Sequence, residues 1–473
     1  MRENLKPTIA SAINYTSTDF ETLRADIVDL IPKLTPEWTN ANETDLGITL
    51  VNVFCGIADM LSYYLNEQAK ESYLPTSRLR QSVIDITNTI GYRLARPTSA
   101  SVDIELEFTQ PFDAPFTLNE YDVFTTTHGE TEFVVAKSMV ILPTDTKVTV
   151  PLLQGIPKEE RFISTGEAIQ RYPLSSTKIS ENMITAVIAN DNTEYEELYK
   201  DIYLEDKNRR YFFIETDAMD NSHIVFSEVY GVIPPQGKEI VVKYLETEGA
   251  RGMTGAGLIT KTRDNNLLPE GTIIRQTTGA TNGAEKEDKE FAKLQAPREI
   301  RTLWRAVTTS DYKTLLDGYP GVLSSNVFDH EDEPDIPIHQ VVCIVAPRGG
   351  GALSQQFRAD LREFLNRIRM ATVDVDVRDA RYVEVEVDVD IYVHKNYDQK
   401  RIVLLAQEAL ESMLALGEHD FGEPVRFSQI ISTIQSIPGV SYVQLNKPST
   451  DVLISPYEMA MASHIGVRVA GEV

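Results

Sequence analysis

Between Asp45 and Leu74, apolar residues recur at Ile48, Val51, Phe54, Cys55, Ala58, Leu61 and Leu65. That spacing gathers side chains into one stripe of an α-helix. The stretch contains no proline, and its only glycines are Gly47 and Gly56. At ~1.5 Å per residue such a helix runs about 45 Å, against an average helix of ~11–12 residues. One small core seldom needs a stripe that long, so part of it is expected to meet another protein chain. Ile48, Val51, Phe54, Ala58, Leu61 and Leu65 are the candidate protein interface.

Helical spacing also surrounds this stretch. Thr18-Asp19-Phe20-Glu21 fits a capping box, in which hydroxyl and carboxylate satisfy orphan N–H groups reciprocally. Phe20, Leu23, Ile27, Leu30, Ile31 and Leu34 then keep a helical stripe, which Pro32 and Pro36 are expected to end. Pro75 breaks the long helix, Thr76 or Ser77 can cap the next, and Leu79, Val83, Ile86 and Ile90 supply its stripe. Gly91 sits where a left-handed C-cap belongs. The three helices could pack on one another alone; the length of the middle one favours packing shared with another chain.

From about Ala95 the period changes to two. Val102, Ile104, Leu106 and Phe108 alternate with Ser101, Asp103, Glu105 and Glu107, as a strand with one wet face requires. Short strand-like runs follow at Glu132–Val135, Lys147–Val150, Ile184–Ile188, Tyr211–Ile214, Ile224–Phe226 and Glu239–Tyr244, a pattern of sandwich or barrel. Periodicity leaves Tyr195–Tyr203 open between helix and strand. Beyond about Arg298 helices and strands mix. Thr308 or Ser310 can cap a helix over Asp311–Leu316, and strands are expected at Gly321–Phe328, His339–Val345 and Val373–Val377, with a helix at Leu353–Met370. A loosely similar round follows: strand Tyr382–Val393, helices Lys400–Leu416 and Phe427–Ile437, strand Val440–Leu445. The expected domains are 1–93 (helical), 94–297 (β-rich), 298–378 (α+β) and 379–473 (a second α+β).

Composition narrows the function classes. The 473 residues carry 45 Lys+Arg against 71 Asp+Glu, a formal charge of −26. So acidic a chain repels phosphate backbones, and no local basic patch argues for nucleic acid. Cys55 and Cys343 stand far apart in apolar contexts and read as core residues in a reducing compartment. Met1–Thr8 lacks the apolar run of a signal peptide, and Asn52, Asp59 and Ser62 interrupt the most apolar window, Leu46–Leu65. A soluble chain made in the cytoplasm, without membrane insertion, is expected.

Candidate chemistry is sparse. The seven histidines form no HExxH pair or zinc-spaced cluster, and there is no GxSxG elbow or Walker lysine. Gly252-Met253-Thr254-Gly255-Ala256-Gly257 is followed by strand-like residues, so the helix N-terminus that holds phosphate is missing and a turn is expected. Gly349-Gly350-Gly351 reads as a loop tolerating unusual backbone angles, with an anion site beside Arg348 as the lesser alternative. Glu384, Glu386, Asp388 and Asp390 line one strand face; a solvated face discouraging edge-to-edge pairing is favoured over a cation or basic-partner site. Glu331-Asp332-Glu333-Pro334-Asp335 reads as a loop. No catalytic, cofactor or metal residues are expected, and the chain reads as a non-enzyme.

Three ordered blocks resemble a known family. The first comprises Asp45-Leu46-Gly47-Ile48-Thr49-Leu50, Asp59-Met60-Leu61-Ser62-Tyr63-Tyr64, Glu71-Ser72-Tyr73-Leu74, Arg78, Arg80, Ser82 and Gly91-Tyr92, with Asn14-Tyr15, Asp19-Phe20 and Trp38-Thr39 upstream. It resembles the N-terminal signature of baseplate J-like proteins, the wedge proteins of contractile phage tails and related injection machines. Gly231-Val232-Ile233-Pro234-Pro235-Gln236-Gly237 with Val241-Val242-Lys243-Tyr244 and Gly249 is similar to the family's middle β-domain. Ala296-Pro297-Arg298, Arg301-Thr302, Arg305-Ala306-Val307-Thr308 and Asp311-Tyr312 match its entry into the C-terminal part. Phe226-Ser227-Glu228-Val229 departs from the family's Phe-Gly-Asp-Gly turn, and Asn282-Gly283-Ala284 from its double glycine.

The fold class expected is therefore multidomain α+β: an N-terminal helical bundle segment, a central β-rich sandwich- or barrel-like domain, and a C-terminal α+β, ferredoxin-like region. The resemblance implies a structural subunit of the virion tail baseplate, assembled in the host bacterial cytoplasm. It implies a homodimer within each wedge, a ring of wedges, a second helical wedge protein as partner, and tail hub and sheath-initiating proteins nearby. The rival reading is a carbohydrate-binding or carbohydrate-processing tail protein with a carboxylate pair across a cleft; its weakness is a chain with only two tryptophans, Trp38 and Trp304.

Overall fold

The computed structural model describes residues 19–34, 37, 38, 42, 44–110, 112, 114–189, 192–198, 208–217 and 219–472. Two compact units emerge: the described residues up to 94 together with 288–296, and residues 95–287 together with 297–473. Thr18, Pro36, Thr39 and Asn14-Tyr15 lie outside the described residues, as does the end of Tyr195–Tyr203.

In the first unit, α1 (Phe20–Leu34), α2 (Leu46–Glu71) and α3 (Arg80–Thr89) are the expected helices. Asp19 starts α1, its carboxylate accepting from the Thr22 amide at 2.9 Å. Helix α1 continues through Pro32 to Leu34 instead of ending there. Thr76 and Ser77 do not cap α3. The Thr76 hydroxyl donates to the Lys70 carbonyl and that of Ser77 to Leu74, so both close the end of α2. Glu71 takes over the start of α3, accepting from the amides of Arg78 and Leu79 at 2.9 and 3.1 Å. Gly91 adopts φ +81°, the left-handed turn its position required.

The second unit begins with a run of strands, β1 (Ser101–Phe108), β2 (Phe116–Leu118), β3 (Val123–Thr126), β4 (Glu132–Val135), β5 (Met139–Ile141) and β6 (Lys147–Gln154). Then come β7 (Ile156–Ile163), β8 (Ile169–Pro173), β9 (Ile179–Ile188), β10 (Thr193–Glu197), β11 (Tyr211–Thr216), β12 (Ser222–Ser227) and β13 (Glu239–Glu246), before β14 (Ile259–Thr262) and β15 (Thr272–Arg275). One sheet runs β14-β3-β4-β6-β1-β15, the other β7-β13-β9-β10-β11-β12-β8. The second sheet is thus inserted in sequence between strands of the first. Both curl. The first brings its end strands β14 and β15 side by side, and the second stacks Phe162 of β7 on Tyr172 of β8 at 5.1 Å. Each barrel-like sheet encloses its own core, one around Ile104, Phe124, Phe133 and Leu152, the other around Phe212, Phe226, Val242 and Tyr244. Tyr195 lies in strand β10.

Arg96, just before β1, is buried between two carboxylates, at 3.0 Å from Glu181 of β9 and 2.6 Å from Glu197 of β10. Burial alone would depress its guanidinium; Glu181 and Glu197 more than offset that and keep it charged.

The remainder is α+β. Helix α4 (Lys289–Thr302) precedes α5 (Thr309–Asp317), which opens on a capping box between Thr308 and Asp311. Strands β16 (Val322–Phe328), β17 (Gln340–Pro347) and β18 (Asp374–Asp379) form a three-stranded sheet, with α6 (Gln355–Ile368) crossing between β17 and β18. A second sheet, β20-β19-β21, joins β19 (Arg381–Val393), β20 (Val440–Lys447) and β21 (Glu458–Glu472), covered by α7 (Gln399–Met413) and α8 (Phe427–Gln435). In each sheet the central strand has one antiparallel and one parallel neighbour. A ferredoxin-like region would instead carry a four-stranded β-α-β-β-α-β sheet, so the C-terminal part is α+β of another topology. The two rounds share a device. Helix α5 and helix α8 each end just before Pro-Gly-Val, with Gly321 at φ +87° and Gly439 at +104°, and lead into the antiparallel edge strand.

Candidate functional site

Helix α2 has two unlike faces, and the fold uses the less apolar one. Its start is fixed by Asp45, whose carboxylate accepts from the Gly47 amide at 2.7 Å. Trp38 lies on Gly47 so closely that a Cβ there would sit 2.2 Å from the indole. A helix advances about 100° per residue, so Ile48, Asn52, Cys55, Asp59, Ser62 and Asn66 share one arc. Ile48 and Cys55 are fully buried there. Asn52 accepts from the Arg24 guanidinium of α1 at 2.9 Å, and Asp59, Ser62 and Asn66 are half-buried.

The opposite arc is exposed and apolar. Leu46, Leu50, Val53, Ile57, Met60 and Tyr64 all face outward, at intervals of four, three, four, three and four residues. That is the a/d repeat of a coiled-coil seam, the pattern that seats knobs of one helix in holes of another. Phe54, Leu61 and Leu65 border the seam, 64%, 58% and 69% exposed. Exposed apolar surface of this kind is a candidate interaction surface. Of the six positions expected from sequence, Phe54, Leu61 and Leu65 lie on this surface, Val51 and Ala58 are half-buried at its margin, and Ile48 is in the core. The residues missed are those of the seam. Their 4-3-4-3-4 spacing was present in the sequence, but two apolar stripes occupy one helix and periodicity does not say which faces home.

The α2–α3 turn is rigidly built. Burial alone would raise the Glu71 carboxyl; hydrogen bonds from Ser82 and from the amides of Arg78 and Leu79 outweigh it and hold the group below the usual carboxylate range. Lys289 donates to the Arg78 carbonyl at 2.6 Å, tying α4 to the same turn. Arg78 and Ser82, singled out in the sequence, therefore serve the geometry of this corner.

Other candidates resolve as structure. The row Glu384, Glu386, Asp388, Asp390 lies on β19, the central strand of its sheet, so it guards no edge. Lys447 of β20 binds Glu386 at 2.8 Å, and Arg468 of β21 binds Asp388 at 2.7 Å and Asp390 at 3.3 Å. Gly349, Gly350 and Gly351 all have φ between +76° and +87°, which only glycine adopts readily. Residues 252–257 turn into strand β14 as expected. Cys55 and Cys343 are free and buried, burial pushing the Cys343 thiol to about 12. Among the described residues, no group of three or more His, Cys, Asp or Glu could hold a metal ion.

Residues 19–89 match the family described as bacteriophage baseplate protein, N-terminal domain, and residues 385–468 match the baseplate J-like protein C-terminal domain. The chain is 20% identical over 397 residues to baseplate wedge protein gp6 of Enterobacteria phage T4, covering 75% of this chain and 59% of that protein. It thus spans less than two thirds of that relative's length. Among solved structures, it is similar to a chain of the anti-feeding prophage baseplate (16% identity, 93% of this chain and 90% of the other, TM-score 0.34). It is also similar to a chain of the type VI secretion system TssK-TssF-TssG baseplate subcomplex (8% identity, 70% and 96% covered, TM-score 0.31). The chain thus carries a segment similar to a baseplate domain near each end, residues 19–89 and 385–468, and is similar to a baseplate wedge protein over 75% of its length.

Proposed function

We propose that the protein is a structural subunit of a contractile-tail baseplate wedge and acts by assembly, not catalysis. The observation that carries this is the exposed coiled-coil seam of α2, lying wholly inside the segment matched to the baseplate N-terminal domain. The seam would bundle with helices of a second wedge protein. The C-terminal part would dimerise through β21, a 15-residue strand whose outer edge has no partner strand among the described residues and so offers unpaired backbone groups as a template. Six-fold closure of such wedges around the tail hub, beside sheath-initiating proteins, would place the chain in the virion baseplate. Contraction would follow from rigid-body movement at these interfaces, biased by any ligand only through unequal affinity for the two states.

A second reading has one specific observation behind it. By length and composition α2 is apolar enough to cross a membrane. The polar arc of Asn52, Asp59 and Ser62, with Asn52 accepting from Arg24, favours a protein partner. The test is co-expression of the full chain with the tail's helical wedge proteins, followed by cryo-electron microscopy of the purified particle. A bundle containing α2 is expected. A chain that stays monomeric beside every tail component, or that partitions into liposomes through α2, refutes the reading.

A further inference from the structure

The second unit contains a cavity of about 220 Å³ between strands β9 and β10 and helix α6. One wall is aromatic: Trp304, Tyr319 and Phe364 line it, with the rings of Tyr319 and Phe364 4.8 Å apart. Leu303 and Trp304 are consecutive non-glycine residues with left-handed backbone, φ +49° and +56°, a turn that L side chains rarely adopt. The rest of the lining carries four carboxylates, Glu181, Glu197, Asp360 and Glu363, beside Arg367 and Asn182.

Among the described residues, Asp360 is the lining carboxylate that takes part in no ion pair. Arg96 is engaged by Glu181 and Glu197, and Arg367 by Glu363 at 2.5 Å. Asp360 has a neutral hydrogen-bond partner, the Gln356 amide at 2.7 Å. Burial, with Glu363 nearby, pushes its carboxyl to about 6. A buried carboxylate without a countercharge is costly, and a positive group would relieve it. Size selects the occupant: small-molecule sites are typically ~300–1,000 Å³, so this cavity suits one side chain. Aromatic faces attract cations, and a planar guanidinium also stacks on them. The mouth is at the surface, since Glu363 and Arg367 are 68% and 56% exposed.

We propose that this cavity receives one basic side chain, arginine by preference, from a neighbouring chain of the assembly, seated against Trp304, Tyr319 and Phe364 with Asp360 as its counterion. This rests on the assembly role proposed above. Trp304 reports on it directly. The full chain contains two tryptophans, so 5-fluorotryptophan labelling yields two fluorine resonances, assigned with Trp38→Phe. The probes are N-acetyl-arginine amide, n-butylammonium and, as neutral isostere, N-acetyl-citrulline amide.

The arginine probe should shift the Trp304 line progressively, butylammonium less, and citrulline amide not at all. Affinity should fall about tenfold or more in Asp360→Asn, which removes a charged hydrogen-bond acceptor, and should weaken in Phe364→Leu. Circular dichroism confirms that both variants remain folded. No shift with the arginine probe, an equal shift with citrulline amide, or undiminished binding by Asp360→Asn overturns the proposal. If wedge assembly proceeds in that case, the pocket reading has failed alone; if assembly fails as well, the assembly role falls with it.

Discussion

Placing a charge at the centre of the α2 seam should separate assembly from folding. Ile57 is 49% exposed in the folded chain. Full burial of an isoleucine is worth about 1.5–3 kcal/mol, so roughly half, about 1 kcal/mol, remains for a partner to collect. Ile57→Asp forfeits that share and also strands a carboxylate in an apolar interface, a further ~3 kcal/mol or more after relaxation. The sum, about 4 kcal/mol, weakens association roughly a thousandfold. The fold should feel little, since exposed substitutions stay within ~0.5 kcal/mol. Cys55→Asp is the contrasting variant: Cys55 is 0% exposed, and a carboxylate there should unfold the helical unit. Sedimentation velocity with the helical wedge protein reads association, and circular dichroism reads the fold. If Ile57→Asp associates within about threefold of the parent, a difference under ~0.7 kcal/mol, the seam is not the interface. If it unfolds the helices, the outward assignment is wrong.

Three further outcomes follow from packing and charge. Arg96→Met should cost about 3–5 kcal/mol, because Glu181 and Glu197 are left without their shared cation; thermal denaturation should show most of it restored when both glutamates become glutamine. Gly47→Ala would raise helix propensity by ~1 kcal/mol at an open site, yet here the new Cβ meets Trp38 at 2.2 Å, so the variant should lose stability and shift tryptophan fluorescence. Asp360 titrates high in the fold, at about 6, so its contribution is fully present below the ordinary carboxylate range, near pH ~4, and is lost as pH rises through about 6. Asp360→Asn should therefore be more stable than the parent at pH 7.5, by about 3 kcal/mol. The gap should close as pH falls from about 6 to about 4, and urea unfolding across that range checks it.

Local patterns foretold the elements but not their surroundings. The helices α1 to α3 and strands such as β1, β4 and β13 follow from periodicity, because each buries one face and wets the other. Strand β7 lacks a legible period because Lys158, Glu159, Glu160 and Arg161 break the apolar alternation; Glu246, Lys243 and Glu239 match Lys158, Glu159 and Arg161 across the ladder, while Glu160 accepts from the Ser175 and Tyr244 hydroxyls. Strand β21 was missed because Ala460, Ala462, Gly466 and Gly471 carry too little side chain to reveal a period, although its pairing with β19 is the longest parallel ladder. The acidic row on β19 was legible as a row, but its partners Lys447 and Arg468 lie 61 and 80 residues away from Glu386 and Asp388. Likewise the two stripes of α2 were both visible, and only the Arg24–Asn52 bond and the burial of Cys55 decide which one turns inward.

Oxidative footprinting of α2 tests the central claim most directly. Met60 and Tyr64 stand on the seam, 57% and 61% exposed, and hydroxyl radicals modify both side chains when water reaches them. In the isolated chain both should react. In the assembled tail particle both should be strongly protected relative to that free-chain rate, as burial in a helical bundle requires. Equal reactivity of Met60 and Tyr64 in free chain and particle would contradict the account.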